Sequence, residues 1–213
     1  MRLRARWLGL GVLCLASAAI AYAVLVRTVW GQQADAVATS GILDGSGDMV
    51  GPAMAALARP LLIVALAGCL VVLLLLALAR LRFGAAAAAV VVPATTIPAA
   101  YHLRDSMLSR PHLGVRGYDY NTFPSTHATT AIALLVAVLL VWPRPLDHRD
   151  LSRAGFVVSL VLIGNVTSYA HRPADVVGSL LLVCGSTLVA VALLGFRPPR
   201  PRPRRALRRS APT

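Results

Sequence analysis

The chain has 213 residues, 57% apolar and 14% charged, with a mean hydropathy of +0.71 and a formal net charge of +13. An ordinary soluble domain is about 45–50% apolar and about 25% charged, so this composition excludes a water-soluble globule. It suits a chain making about six bilayer crossings of roughly 20 residues each.

In chain order, the first apolar run covers residues 7–26, behind a basic start with Arg2, Arg4 and Arg6. Ala16-Ser17-Ala18 has the small residues of a leader cleavage site. The run continues past the 7–15 residues typical of a leader core, however, and predicts an uncleaved anchor. Residues 31–60 are rich in Gly, Ser and Asp and read as an outer loop with a short amphipathic stretch near Met54 to Ala58. Nothing in that loop points to chemistry. Residues 61–79 form a second uncharged run. Residues 83–101 form a third, rich in Ala and Thr, with Pro93 and Pro98 inside it.

The fourth run, 125–142, begins at a polar entry, and the fifth, 154–170, carries Asn165. A sixth covers 176–196. Intramembrane Pro and Asn require neighbours that satisfy the polar groups they leave free, which implies a packed bundle. The division is therefore a membrane domain over 1–196 and an Arg/Pro-rich tail over 197–213, which is expected to be disordered. All 21 basic residues are arginine and all eight acidic residues aspartate. With both termini cytoplasmic, fifteen of the 21 arginines fall on the cytoplasmic side, as the positive-inside bias requires. The arginines lack the aromatic interleaving of a nucleic-acid face, so no nucleic-acid partner is expected. Cys14, Cys69 and Cys184 lie in apolar runs without ligand spacing, which predicts neither a disulfide nor a metal site.

Polar residues collect in two places, 104–127 and 165–175. One crossing inward and one back bring both to the same membrane face, so His127 and His171 can meet. Ser125 and Thr126 suit the start of the following helix, whose free N–H groups, with Arg104, Arg110 and Arg116 nearby, favour a phosphate-like anion. Asp175 stands four residues after His171 and can hold one imidazole nitrogen, leaving the other as nucleophile or base. Phosphoryl transfer fits this set best.

These residues resemble the three motifs of the PAP2 superfamily of phosphatases (type 2 phosphatidic acid phosphatases), KxxxxxxRP, PSGH and SRxxxxxHxxxD. The matching positions are Arg104 with Arg110-Pro111, then Pro124-Ser125-Thr126-His127, then Gly164-Asn165 with His171 and Asp175. The resemblance implies an all-α bundle of about six transmembrane helices in the cell membrane. It implies a metal-independent and cofactor-free phosphatase acting on a lipid phosphate or diphosphate at the extracytoplasmic face. A polyprenyl diphosphate, phosphatidic acid or phosphatidylglycerol phosphate would each fit as substrate. By the same resemblance His171 is the nucleophile that forms a phosphohistidine, Asp175 orients it, and His127 protonates the leaving oxygen. Arg104, Arg110, Ser125 and Thr126 bind phosphate oxygens.

The departures are specific. Arg104 replaces a lysine and stands one residue closer to Arg110 than the pattern has it, Thr126 replaces a glycine, and Asn165 replaces an arginine, with Gly164 in place of the preceding serine. Arg172 is the candidate for the missing charge. The alternatives are a catalytically weak relative that binds a phospholipid head group or a protein partner, and a transporter using the intramembrane Pro and Asn.

Overall fold

A computed structural model describes residues 2–46, 52–115 and 120–195. Arg116, residue 196 and the tail over 197–213 lie outside the described residues. The described chain is all-helical. Helix α1 (Arg2–Ala21) runs into a π-helical turn over Tyr22–Val26, followed by α2 (Val29–Ser46), α3 (Pro52–Ala79) and α4 (Phe83–His102). A second π-helical turn, Leu103–Met107, ends α4, and α5 (Thr126–Val141), α6 (His148–Thr167) and α7 (Pro173–Leu194) complete the bundle.

Among the described residues five segments are long and apolar enough to cross a membrane: Arg2–Val26, Ala55–Ala79, Phe83–Met107, His148–Thr167 and Pro173–Leu194. Helix α5 is equally apolar but has 16 residues. It spans about 24 Å, short of a hydrocarbon core of about 30 Å. Large apolar side chains such as Leu13, Ile20, Leu61, Val72, Leu75 and Phe156 point outward, where lipid replaces water as their surroundings.

Small residues set the closest helix contacts, as expected where lipid leaves no hydrophobic drive between helices. Helix α1 crosses α7 at Gly11 and Gly185. A Cβ on Gly185 would lie 2.7 Å from Leu15 Cγ and 3.0 Å from the Gly11 carbonyl oxygen. Ala85, Ala86 and Ala89 of α4 pack with Leu134, Ala137, Val138 and Val141 of α5. A second core joins Ala128 and Ile132 of α5 to Val161 of α6 and to Val176 and Val183 of α7. Arg82 donates to the carbonyls of Val141 and Trp142 and closes the far end of α5.

One expectation is overturned. Residues 31–60 do not form an outer loop, because α2 occupies 29–46 and α3 begins at Pro52. Gln32 and Asp35 are buried, Thr39 and Ile42 are half-buried, and the spacing of these four is that of one helix face. That face is largely polar, so it carries no hydropathy signal, and the glycines at 41 and 45 look like loop residues. Ala34, Ala36 and Ala38, ahead of both glycines, favour the helix.

Helices α1, α4 and α6 end, and α3, α5 and α7 begin, at one end of the bundle, where α2 also lies. Tyr22 bonds Ser109 there, Ser125 bonds Asn165, and Asp35 bonds Ala174.

Candidate active site

Most of the polar residues gather at this end because the helices begin and end there. Ser125 is the N-cap of α5, its hydroxyl accepting from the Ala128 N–H at 3.2 Å, and its own N–H donates to the Asp175 carbonyl at 3.1 Å. Ser179 of α7 donates toward the carbonyls of Ser125 and Asp175, both at 2.9 Å. The starts of α5 and α7 are thereby locked side by side. Pro173 at the first position of α7 has no N–H to satisfy, and the Ala174 N–H is taken by the Asp35 carboxylate of α2 at 2.8 Å.

The centre of the network is Asp175, fully buried in the first turn of α7. One carboxylate oxygen accepts from Arg110 Nη2 at 2.7 Å, and the other from the Thr122 hydroxyl at 2.6 Å and the Arg172 N–H at 3.0 Å. His171 Nδ1 lies 3.7 Å from the second oxygen, an ion-pair separation rather than a hydrogen bond. A buried carboxylate is costly unless it is paired and hydrogen-bonded. Here the charge is shared among an arginine, a hydroxyl, a backbone N–H and an imidazole.

His171 lines a cavity of about 730 Å³, together with His127, Arg104, Arg110, Thr122 and Arg59. The rings of His127 and His171 have centroids 6.5 Å apart, inclined at 54°. The Arg110 side chain is only 3% exposed, and its Nε and Nη1 make no hydrogen bond among the described residues. Arg104 pairs with Asp105 at 2.6 Å, donates to the Thr126 hydroxyl at 2.8 Å and lies over the Tyr101 ring. Among the described residues the wall is therefore cationic, and its one aspartate, Asp105, is held by Arg104.

Of the residues expected from the sequence, His127, His171, Arg104 and Arg110 line the cavity, and Asp175 stands directly behind His171. Ser125, Thr126 and Arg172 are buried and do not line it. Arg172 joins the site through its backbone, and its charge acts on Asp35. Asn165 is also enclosed: its amide donates to the Val161 carbonyl at 2.7 Å and its oxygen faces the Ser125 hydroxyl at 3.4 Å. His102 and His148 are exposed away from this network.

Several residues escaped sequence reasoning. Thr122 holds Asp175, and Asn121 ties the loop together by donating toward the carbonyls of Arg104, Leu108 and Phe123. The signal was present, since both stand just before the PSTH stretch, but they read as loop polarity. Gln32 of α2 donates to the Pro111 carbonyl at 2.9 Å. Tyr22 and Arg27, after α1, grip Ser109 by its carbonyl, N–H and hydroxyl. Arg59 read only as one charge among those on the outer side.

Asp35 is the group outside the crossing helices whose ionisation is most perturbed. Burial raises its pKa from 3.8 to about 6, against the Ala174 N–H and the more distant Arg110 and Arg172, which favour the charged form.

Chemically, the arrangement offers two imidazoles facing one space, a carboxylate to orient one of them, and several guanidinium groups for an anion. The family model described as PAP2 superfamily matches residues 95–199, from within α4 through all of α7, which includes both polar stretches. No curated protein and no solved structure matches the chain.

Proposed function

Because this chain belongs to the PAP2 superfamily through residues 95–199, whose members are generally phosphatases, we propose that it is a multi-pass membrane enzyme removing phosphate from a lipid phosphate or diphosphate. The observation that carries this reading is the cationic cavity across which His127 and His171 face each other at 6.5 Å, with Asp175 behind His171.

In the proposed reaction, Asp175 holds the Nδ1 edge of His171, which leaves Nε2 with its lone pair toward the substrate. That lone pair forms the N–P bond as the P–O bond to the lipid breaks, and His127 gives its proton to the leaving oxygen. Water then attacks phosphorus, the N–P bond breaks, and His127 takes the water proton as phosphate departs. Arg110 and Arg104 neutralise the phosphoryl oxygens, and the first turn of α5, which carries His127, adds its positive end. The acyl or prenyl chain stays in lipid beside the bundle. The site end is extracytoplasmic in this reading, because most arginines lie toward the opposite end or in the tail. The membrane domain would cover 1–196, with 197–213 as a cytoplasmic tail.

A second reading has one observation in its favour. Asn165 is neutral and bonded within the protein where the family pattern has an arginine, which suits a weak enzyme that mainly binds a phospholipid head group.

The test is phosphate release in detergent from prenyl diphosphate, phosphatidic acid and phosphatidylglycerol phosphate with a chelator present. His171→Ala is measured in parallel, and acid-labile phosphoprotein is trapped with labelled substrate. Release that persists in chelator, with release and label both lost in His171→Ala, is expected. Turnover that survives His171→Ala would refute the mechanism, and binding of these lipids without turnover would select the second reading.

A further inference from the structure

Arg59 lies in the second turn of α3, outside the family-matched stretch and far in sequence from the polar clusters. It nonetheless lines the cavity that holds His127, His171, Arg104 and Arg110, and its charge acts on the His127 imidazole. Neither position 165, which lacks this charge, nor Arg172, the residue the sequence offered for it, lines the wall. Asn165 is neutral, its amide N–H donating to the Val161 carbonyl and its oxygen accepting from the Ser125 hydroxyl, and Arg172 is buried with its charge acting on Asp35.

Around the cavity, Arg104 is bonded to Asp105 and Thr126, and Arg110 is bonded to Asp175. Among the described residues three guanidinium groups and one carboxylate thus stand in the wall, Arg59 from α3, Arg104 from the turn that ends α4 and Arg110 from the loop after it. A doubly charged phosphate bound between the histidines needs cations on more than one side, because donors aimed from a single wall leave part of its charge facing a low-dielectric surround.

We propose that Arg59 is a phosphate-binding residue of this site, supplying from α3 the positive charge that position 165 does not carry. The proposal rests on the phosphatase reading for its substrate but on the cavity alone for its anion. Arginine suits the role through its planar set of donors and permanent charge, so Arg59→Lys should retain part of the effect and Arg59→Gln none.

The experiment uses the full chain in detergent with inorganic phosphate as the probe, its affinity measured by calorimetry on wild type, Arg59→Gln, Arg59→Lys and, as control, Arg80→Gln at the opposite end of α3. Loss of one charge-assisted contact predicts about tenfold weaker phosphate binding in Arg59→Gln, a smaller loss in Arg59→Lys, and wild-type affinity in Arg80→Gln. Should Arg59→Gln fail to fold, Arg59→Lys decides alone: affinity equal to wild type at raised ionic strength would overturn the contact, and a measurable loss would support it. Phosphate affinity within twofold of wild type in Arg59→Gln, or no phosphate binding by wild type at all, would overturn the proposal. If lipid phosphates are not turned over while phosphate binding still depends on Arg59, the enzyme reading fails and this one stands.

Discussion

Thr122→Val is the substitution that most directly probes the buried network. Thr122 is 2% exposed and donates at 2.6 Å to an oxygen of fully buried Asp175. Valine keeps the volume and removes the hydroxyl, so no cavity forms and the loss is electrostatic. The affected oxygen keeps the Arg172 N–H at 3.0 Å and His171 at 3.7 Å, while the other keeps Arg110 at 2.7 Å. A hydrogen bond to a charged acceptor is worth about 1.5–3 kcal/mol. At about 2–4 °C per kcal/mol for a chain of this length, the midpoint of thermal unfolding in detergent should fall by several degrees. The carboxylate that orients His171 also loses one of its anchors, so the rate of phosphate release should fall about tenfold, with Thr122→Ser restoring both quantities. A Thr122→Val protein with the wild-type midpoint and rate, or one that serine fails to rescue, would refute the view that this hydroxyl holds the carboxylate in place.

Three further outcomes follow from the packing and the charges. Burial favours the neutral form of Asp35, with its pKa near 6 against 3.8, so its contribution to stability is fully present below about pH 4 and lost as pH rises through 6, about 3 kcal/mol in all. Asp35→Asn keeps an oxygen for the Ala174 N–H and should flatten this dependence, raising the midpoint at pH 7; parallel curves for the two proteins between pH 4 and 8 would contradict it. Gly185→Val should push α1 off α7, because its Cβ alone meets Leu15 and the Gly11 carbonyl, and a midpoint unchanged in a thermal scan would show that the crossing is looser than described. Gly178→Leu should drive Phe123 from its place beside α7, where a Cβ already overlaps that ring, and should reduce phosphate release more than it lowers the midpoint.

The residues that interrupt apolar runs were legible because charge and amide groups are expensive in a bilayer, so His127, His171, Asp175, Arg104 and Arg110 stood out by type and spacing. The fold class followed from the same runs. Helix α2 did not, because its buried face uses Gln32 and Asp35 to hold the Pro111 carbonyl and the start of α7. A face that packs by hydrogen bonds leaves no stripe in the hydropathy. Thr122 was hidden for a related reason: a hydroxyl before a helix has many local uses, and only the fold shows that its partner lies 53 residues away. Arg59 at the edge of an apolar run is indistinguishable by sequence from a side chain reaching for the membrane surface. Arg172 stands beside His171 in sequence, but spacing does not reveal that its long side chain is buried.

The crossing of α1 with α7 also bears on the order in which the molecule is made. Helix α1 precedes α7 by about 150 residues in synthesis, yet its glycine partner belongs to α7. Ser109, gripped by Tyr22 and Arg27 beside α1, belongs to the loop that presents Arg110 to Asp175 at the head of that same last helix. A ribosome partway through this chain therefore holds a helix without its groove and an arginine without its carboxylate. Native contacts between segments far apart in sequence close late. The proposed site would thus be completed only once α7 is inserted, and a product stopped before α7 would lack the carboxylate that stands behind His171.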